Sequence, residues 1–314
     1  MKRKTGLLIV AILVMAGGAY MLWSAFFRYK DMEIDDIIWT NNVCYKEENV
    51  NGKNIFLYKG TINLYRDGKI ETVGDILLSN FSKNGENLLV GMQNLYPDTE
   101  GFKGIITYDI ATRELNEILA YDKICDFLGE ENHELLGKIQ MTMDGKLFYF
   151  ACGKKIILYD AEKSTLDLLF ETQTSCNEYF LNAKETCLYY SDSPHTLYKY
   201  DILTKKQDSL IDQDVYNFAV SKDEKLVVYE NRRDKALFLY YMDTGEKRKL
   251  VDLNYGYSAV YISEDSRYIL YTDYREAIVP TNCKIIIYVK ELETGKRRTI
   301  YKGTYQDNIG NVLW

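Results

Sequence analysis

Two histidines, His133 and His195, are the whole imidazole complement of this 314-residue chain. The first opens His133–Gly137 (HELLG), which begins like a zinc-peptidase helix of the form His-Glu-x-x-His. It ends without the second histidine that would complete the metal's ligands. Gly256–Val260 (GYSAV) starts like the nucleophile turn of a serine hydrolase but has valine where the closing glycine belongs. No Gly-x-Gly-x-x-Gly and no Gly-Lys-Ser/Thr phosphate loop occurs. Asp212 and Asp214 read as a solvated turn rather than a calcium loop. Glycoside cleavage stays open, because it needs only two carboxylates at a suitable separation and the chain has 46 Asp and Glu. The sequence thus assigns no catalytic residue, no cofactor-binding residue and no metal ligand, and no cofactor is expected.

Charge and cysteine usage narrow the setting. The formal net charge is −7, which argues against a nucleic-acid backbone as partner. The six cysteines, at positions 44, 125, 152, 176, 187 and 283, include no Cys-x-x-Cys pair. Several fall inside apolar runs, where cysteine is an ordinary small filler, so no essential disulfide is expected.

The first 30 residues stand apart. Lys2, Arg3 and Lys4 form a short basic tail (1–5), followed by an uncharged stretch over 6–27. As a helix that stretch is roughly 33 Å long, enough to cross a bilayer. Residues 28–34 would link it to a body spanning 35–314. The expected topology puts the N-terminus in the cytoplasm and the body outside it. Secretion after cleavage near Gly17-Gly18-Ala19 is the alternative, but the apolar run continues through Phe27, longer than a signal core needs.

The body is repetitive. Six short turns precede apolar runs, starting at Asn49 (NVNGKNIFLY), Ser82, Thr142, Asn182, Ser221 (SKDEKLVVYE) and Ser263 (SEDSRYILYT). Their intervals are 33, 60, 40, 39 and 42 residues, and a period near 40 marks a repeat architecture. Each unit reads as a short strand, a polar turn, a Val/Ile/Tyr-rich strand, a loop, a third strand, a turn of Thr-Gly type and a basic fourth strand. One such meander has two apolar faces and cannot stand alone. Packing copies around an axis covers both faces, so the expected fold is all-β, a six-bladed β-propeller of four-stranded antiparallel blades. Seven blades is the alternative, with an extra unit in the 60-residue interval, although Tyr121–Lys138 reads as helix or loop. Either Asp35–Thr40 or Gly310–Trp314 would supply the strand that fastens the ring. The basic runs in EKRKL and GKRRT read as charged outer edges that discourage pairing with other chains.

The stretches from Ser221 and Ser263 resemble the WD40-like repeats of TolB-type propellers, which carry a Ser-Pro-Asp-Gly-Lys turn, a strand ending in Tyr, and then Asp-x-x-Thr-Gly. The likeness runs over roughly residues 43–303, without the Pro of the first turn. It implies a binding or scaffold surface, often extracytoplasmic in bacteria, and carries over no catalytic residue.

In such a meander the first-to-second and third-to-fourth turns share one face. The second-to-third and blade-to-blade loops share the other. The long insertions Gln93–Lys103, Tyr121–Leu135 and Tyr274–Cys283 all fall in the second set. Insertions crowding one face mark a candidate binding face. It would present Tyr96, Asp98, Glu100, Phe102, Tyr121, Asp122, Glu130, Glu131, His133, Tyr274, Arg275 and Glu276. Shorter loops add His195, Asp212, Asp214, Arg232 and Arg233. Acids and aromatics dominate, which suits a protein partner or a cell-envelope polymer. The functional expectation is a membrane-tethered extracytoplasmic binding module. A carbohydrate-active enzyme and a structural subunit of a membrane complex are the alternatives.

Overall fold

The apolar runs rich in tyrosine form the middle strands of each blade. The computed structural model describes residues 34–313 except 35, 51–52, 75, 77, 86, 95–101, 130–136, 177, 193–194, 213, 255–258, 276–283 and 305–308. The expected membrane segment over 6–27 lies outside the described residues. Among those residues, no helix is long and apolar enough to cross a membrane.

Blade one holds β1 (Ile37–Val50), β2 (Lys53–Arg66) and β3 (Lys69–Gly74). Blade two holds β4 (Leu78–Asn84), β5 (Leu88–Asn94), β6 (Phe102–Asp109) and β7 (Leu115–Ala120). Helix α1 (Tyr121–Leu128) follows. Blade three holds β8 (Gln140–Met141), β9 (Leu147–Cys152), β10 (Lys155–Asp160) and β11 (Thr165–Glu171). Blade four holds β12 (Tyr179–Leu181), β13 (Cys187–Asp192), β14 (Thr196–Asp201) and β15 (Gln207–Ile211). Blade five holds β16 (Val215–Val220), β17 (Leu226–Asn231), β18 (Ala236–Tyr241) and β19 (Lys247–Asp252). Blade six holds β20 (Val260–Ile262), β21 (Tyr268–Arg275), β22 (Lys284–Glu291) and β23 (Arg297–Thr304). Last, β24 (Ile309–Leu313) returns to pair with β1 and becomes the fourth strand of blade one. The described residues therefore form six four-stranded sheets.

The first strands of neighbouring blades touch, so they ring the axis, while the fourth strands face outward. Burial follows from this. In β9 and β17 five of six residues are buried, because both faces of a middle strand pack on adjacent blades. Such strands read as continuous apolar runs rather than alternations. In β11 and β19 no residue is fully buried, and polar or charged side chains occupy much of the outer edge. All six blades carry a bulge between their third and fourth strands, at Ile62/Asn63, Ile105/Ile106, Ile156/Ile157, Leu197/Tyr198, Leu237/Phe238 and Ile287/Tyr288. An extra residue there increases the strand twist, which suits an outer edge splayed from its neighbours.

The recurring polar turn has a common chemistry. Ser221 Oγ donates to Asp223 (2.6 Å) and accepts from the Leu226 N–H (2.9 Å). Ser263 repeats this with Asp265 and Tyr268, and Thr142 with Asp144 and Leu147. Asn182 replaces the hydroxyl, its Oδ1 accepting from the N–H groups of Thr186 and Cys187. Side chains of this kind close turns by standing in for a backbone acceptor. The fourth residue of each turn is left-handed: Gly85, Gly145, Glu185, Glu224 and Ser266 have φ of 67, 72, 58, 57 and 59°.

The sequence phase fails in blade one. Because β24 supplies the innermost strand, β1 is the second strand and β2 the third. The turn after Asn49 therefore joins second to third strand and lies on the loop-rich face, where the repeat alignment had set it on the other. This explains its short interval of 33 residues to Ser82. β1 and β2 pair along their whole length from Ile37–Tyr65 to Val50–Lys53, whereas β3 reaches only Ile62 and β24 only Asn41. The far part of this hairpin extends past the rest of its sheet.

Among the described residues, the sheets and packed clusters lie within 34–313, the ring is closed by two of its own strands, and residues 36–314 form one compact unit. The body is thus a self-contained folding unit.

Candidate binding face at the channel mouth

First strands run from the loop-rich face toward the short-turn face, so their leading residues line the mouth of the axial channel. Lys138 stands just before β8 in blade three. Its Nζ lies 5.0 Å from the ring centroid of Tyr261 in β20 of blade six, the blade opposite. One lysine therefore reaches across the axis. Glu178, just before β12, is half-buried beside it. Burial pushes its carboxyl up, and the Lys138 ammonium pulls the other way. The Tyr179 hydroxyl donates to the carbonyls of Tyr149 (2.5 Å) and Lys138, and Gln140 bonds the backbone of Tyr179 and Leu181. These bonds join the first strands of blades three and four.

A second cluster joins blades four and five. Tyr216, on β16, has the His195 ring stacked at 3.9 Å and the Arg232 guanidinium 4.0 Å from its centroid. Two groups that close cannot share one face of a ring, so Tyr216 is held between them. Beneath Arg232 lies Glu230, a fully buried carboxylate. Glu230 accepts from Arg232 Nε at 3.3 Å and from Asn217 Nδ2 at 2.7 Å. A buried carboxylate is tolerable only when paired and hydrogen-bonded in this way. The result is a cation and two rings fixed in position at the surface, with the rotamer cost of ordering Arg232 already met.

The expected face residues divide as follows. His195 and Arg232 come together around Tyr216. Arg233 is exposed on the same β17–β18 turn, Asp212 is exposed and bonded to Ser209, and Asp214 takes φ of 39° in the blade-to-blade connection. Asp122 is exposed on α1. Tyr274 is half-buried late in β21, in a different blade. Tyr121 is a correction: at 7% exposure it packs into the core between blades two and three with Ile124, because α1 lays its apolar side on β6 and β7. Phe102 and Arg275 have strand backbone in β6 and β21. Tyr96, Asp98, Glu100, Glu130, Glu131, His133 and Glu276 lie outside the described residues. Sequence reasoning missed Lys138, Glu178, Tyr216, Asn217, Glu230 and Tyr261. The available signal was a polar or aromatic residue at or just before a short first strand. Among the described residues, no group of three His, Cys, Asp or Glu side chains is placed to hold a metal ion.

This architecture is that of a six-bladed β-propeller. TolB from Acinetobacter baumannii superposes with a TM-score of 0.65 at 12% identity, covering 88% of this chain and 65% of that one. A putative TolB from Agrobacterium tumefaciens gives 0.58 at 12% identity, over 87% of this chain and 91% of that one. A chain of a nidogen/laminin complex gives 0.59 at 10% identity, over 88% and 97%. At such identities the likeness is one of fold. This chain spans just under two-thirds of the Acinetobacter protein's length. No protein-family profile matches the sequence, and no curated protein matches it either.

Proposed function

We propose that this protein is a membrane-tethered, extracytoplasmic propeller that binds a partner protein or a cell-envelope polymer through its loop-rich face. The observation carrying this reading is the unequal dressing of the two faces. The long connections, the overhanging β1–β2 hairpin and the preorganised His195–Tyr216–Arg232 stack all belong to one side. The other side carries short turns, and the chain joins the ring there at Asp36, ahead of β1. Fixing aromatic and arginine groups before contact lowers the ordering cost of binding, and such residues dominate interface energetics. The nidogen/laminin structure holds a propeller of this fold in a protein complex, which accords with a protein partner.

Two experiments test the proposal. A cysteine introduced at Leu203, which is 81% exposed on the short-turn face, should react with a membrane-impermeant reagent in intact cells. Protection until lysis would reverse the topology. Replacing residues 95–101 by a short Gly-Ser linker, or exposed His195 by Asn, which tolerates the left-handed φ of 73° there, should leave melting unchanged and weaken capture of the partner by the full chain. Undiminished capture by both variants would contradict the face assignment.

A further inference from the structure

Blades five and six bring three cations together. Lys290, the penultimate residue of β22, pairs in register with Arg297 at the start of β23, so the two side chains share a face. Arg297 lies 4.4 Å from the Tyr288 ring centroid and donates from Nη1 to the Tyr271 hydroxyl at 3.4 Å. From blade five, Arg248 reaches over to donate from Nη2 to the Leu292 carbonyl at 3.3 Å. The Lys290 ammonium sits against the turn between β22 and β23, 3.9 Å from where a Gly295 Cβ would stand. Lys290 is half-buried and makes no hydrogen bond or ion pair among the described residues.

Nearby acids are engaged elsewhere or stand apart. Glu291 pairs with Arg267 and accepts from Thr294, Asp252 pairs with Lys249, and Asp273 holds Asn254. Glu246 and Glu293 are exposed on the adjoining turns. The Lys290 ammonium is disfavoured by burial first, then by the charges of Arg297 and Arg248, with no carboxylate offsetting them. In a chain of net charge −7, two arginines converging on a lysine that has no partner among the described residues are a site lacking its counterion.

We propose that Arg248, Lys290 and Arg297 form an oxyanion site between blades five and six, taking a phosphate group. It stands independently of the loop-rich face, because it opens at the rim of the opposite, short-turn face. The phosphate has two sources of one chemistry, a free or polymer-borne phosphate and a phospholipid headgroup.

The experiment separates them. Inorganic phosphate is titrated against the full chain in neutral detergent at fixed ionic strength, by calorimetry and melting temperature. The body, residues 34–314, is tested for binding to phosphatidylcholine vesicles with and without phosphatidylglycerol. Each is repeated with Lys290→Met and Lys290→Glu. Expected is phosphate binding that Lys290→Met weakens about tenfold and Lys290→Glu abolishes. In chloride, Lys290→Met should melt at or above the wild-type temperature, because it removes a crowded buried charge. A lysine serving only structure would lower it. Binding to phosphatidylglycerol vesicles alone, lost in the same variants, assigns the site to a headgroup. If neither phosphate nor vesicle binding distinguishes wild type from both variants, the site is refuted.

Discussion

Glu224 lets the cost of a strained backbone be weighed against the contacts that strain permits. It occupies the left-handed position of the Ser221 turn with φ of 57°, where Gly145 and Gly85 stand in blades three and two. A non-glycine residue there costs about 1 kcal/mol. In return its carboxylate reaches blade four, accepting from Tyr189 Oη (2.5 Å), Asn182 Nδ2 (3.0 Å) and Lys199 Nζ (3.2 Å). The Tyr189 hydroxyl and the half-buried Glu224 carboxylate make the strongest of these bonds. Bonds to a charged group contribute about 1.5–3 kcal/mol, and a partly exposed ion pair such as that to Lys199 about 1 kcal/mol. Allowing for non-additivity, the latch is worth about 3 kcal/mol.

An order of stability follows. Glu224→Gln keeps one acceptor, for Asn182, turns the Tyr189 bond round so that the amide donates to Oη, and loses the ion pair, costing about 1 kcal/mol. Glu224→Ala loses the latch and keeps the strain, costing about 3 kcal/mol. Glu224→Gly loses the latch but relieves the strain, costing about 2 kcal/mol. For a ring of this size 1 kcal/mol is about 2 °C in melting temperature, so drops of about 2, 6 and 4 °C are expected by calorimetry. Burial pushes the Glu224 carboxyl up, but the bonds from Tyr189, Asn182 and Lys199 outweigh it and hold the group below its ordinary value. Its contribution is therefore complete above the unfolded value and is lost as pH falls through the folded one. The gap between wild type and Glu224→Gln should narrow as pH falls below the ordinary glutamate range and close once it has passed the folded value. A Glu224→Gly variant as stable as wild type, or an Ala variant no worse than Gln, would refute the latch.

Other outcomes follow from single features. Removing 309–314 strips β1 of its inner partner at Ile38, Trp39 and Asn41, and should abolish the single cooperative melting transition seen by calorimetry. Gly104→Ala would set a Cβ 2.0 Å from the Leu119 carbonyl at φ of 120°, and should cost more than about 3 kcal/mol or leave the chain insoluble on expression. Cys176 is buried, and burial, then the charges of Glu178 and Asp192, push its thiol up to about 12, so it should react with a thiol reagent at pH 8 only after denaturation. Among the described cysteines, half-buried Cys125 should react first in the native chain. Ser221→Ala leaves the Leu226 N–H without its acceptor and should cost about 1–3 kcal/mol by chemical denaturation.

The blade count was legible because the turn chemistry repeats. A hydroxyl or amide at the first position and an apolar run after the turn recur where a first strand meets a second in blades two to six, with a carboxylate two residues on in blades three, five and six. Blade one lacks that phase because its first strand comes from the far end of the chain. Local pattern carries no record of which segment will pair with a distant one, and NVNGK closes a hairpin as well as NAKE closes an inner turn. The outer edge was half legible. Lys and Arg in EKRKL do mark an exposed strand, but alternation sends Lys249 to pair with Asp252 while Arg248 reaches the next blade.

The channel mouth was the least legible part, and for a physical reason. First strands here are as short as two or three residues, as in β8, β12 and β20, too short for periodicity to show which side chain faces the axis. Lys138 and Tyr261 are 123 positions apart and meet only because six units close a ring. A pairing of that kind depends on how many blades there are. Had the chain closed with seven, blades three and six would not stand opposite, and the Lys138–Tyr261 contact across the axis would have no counterpart.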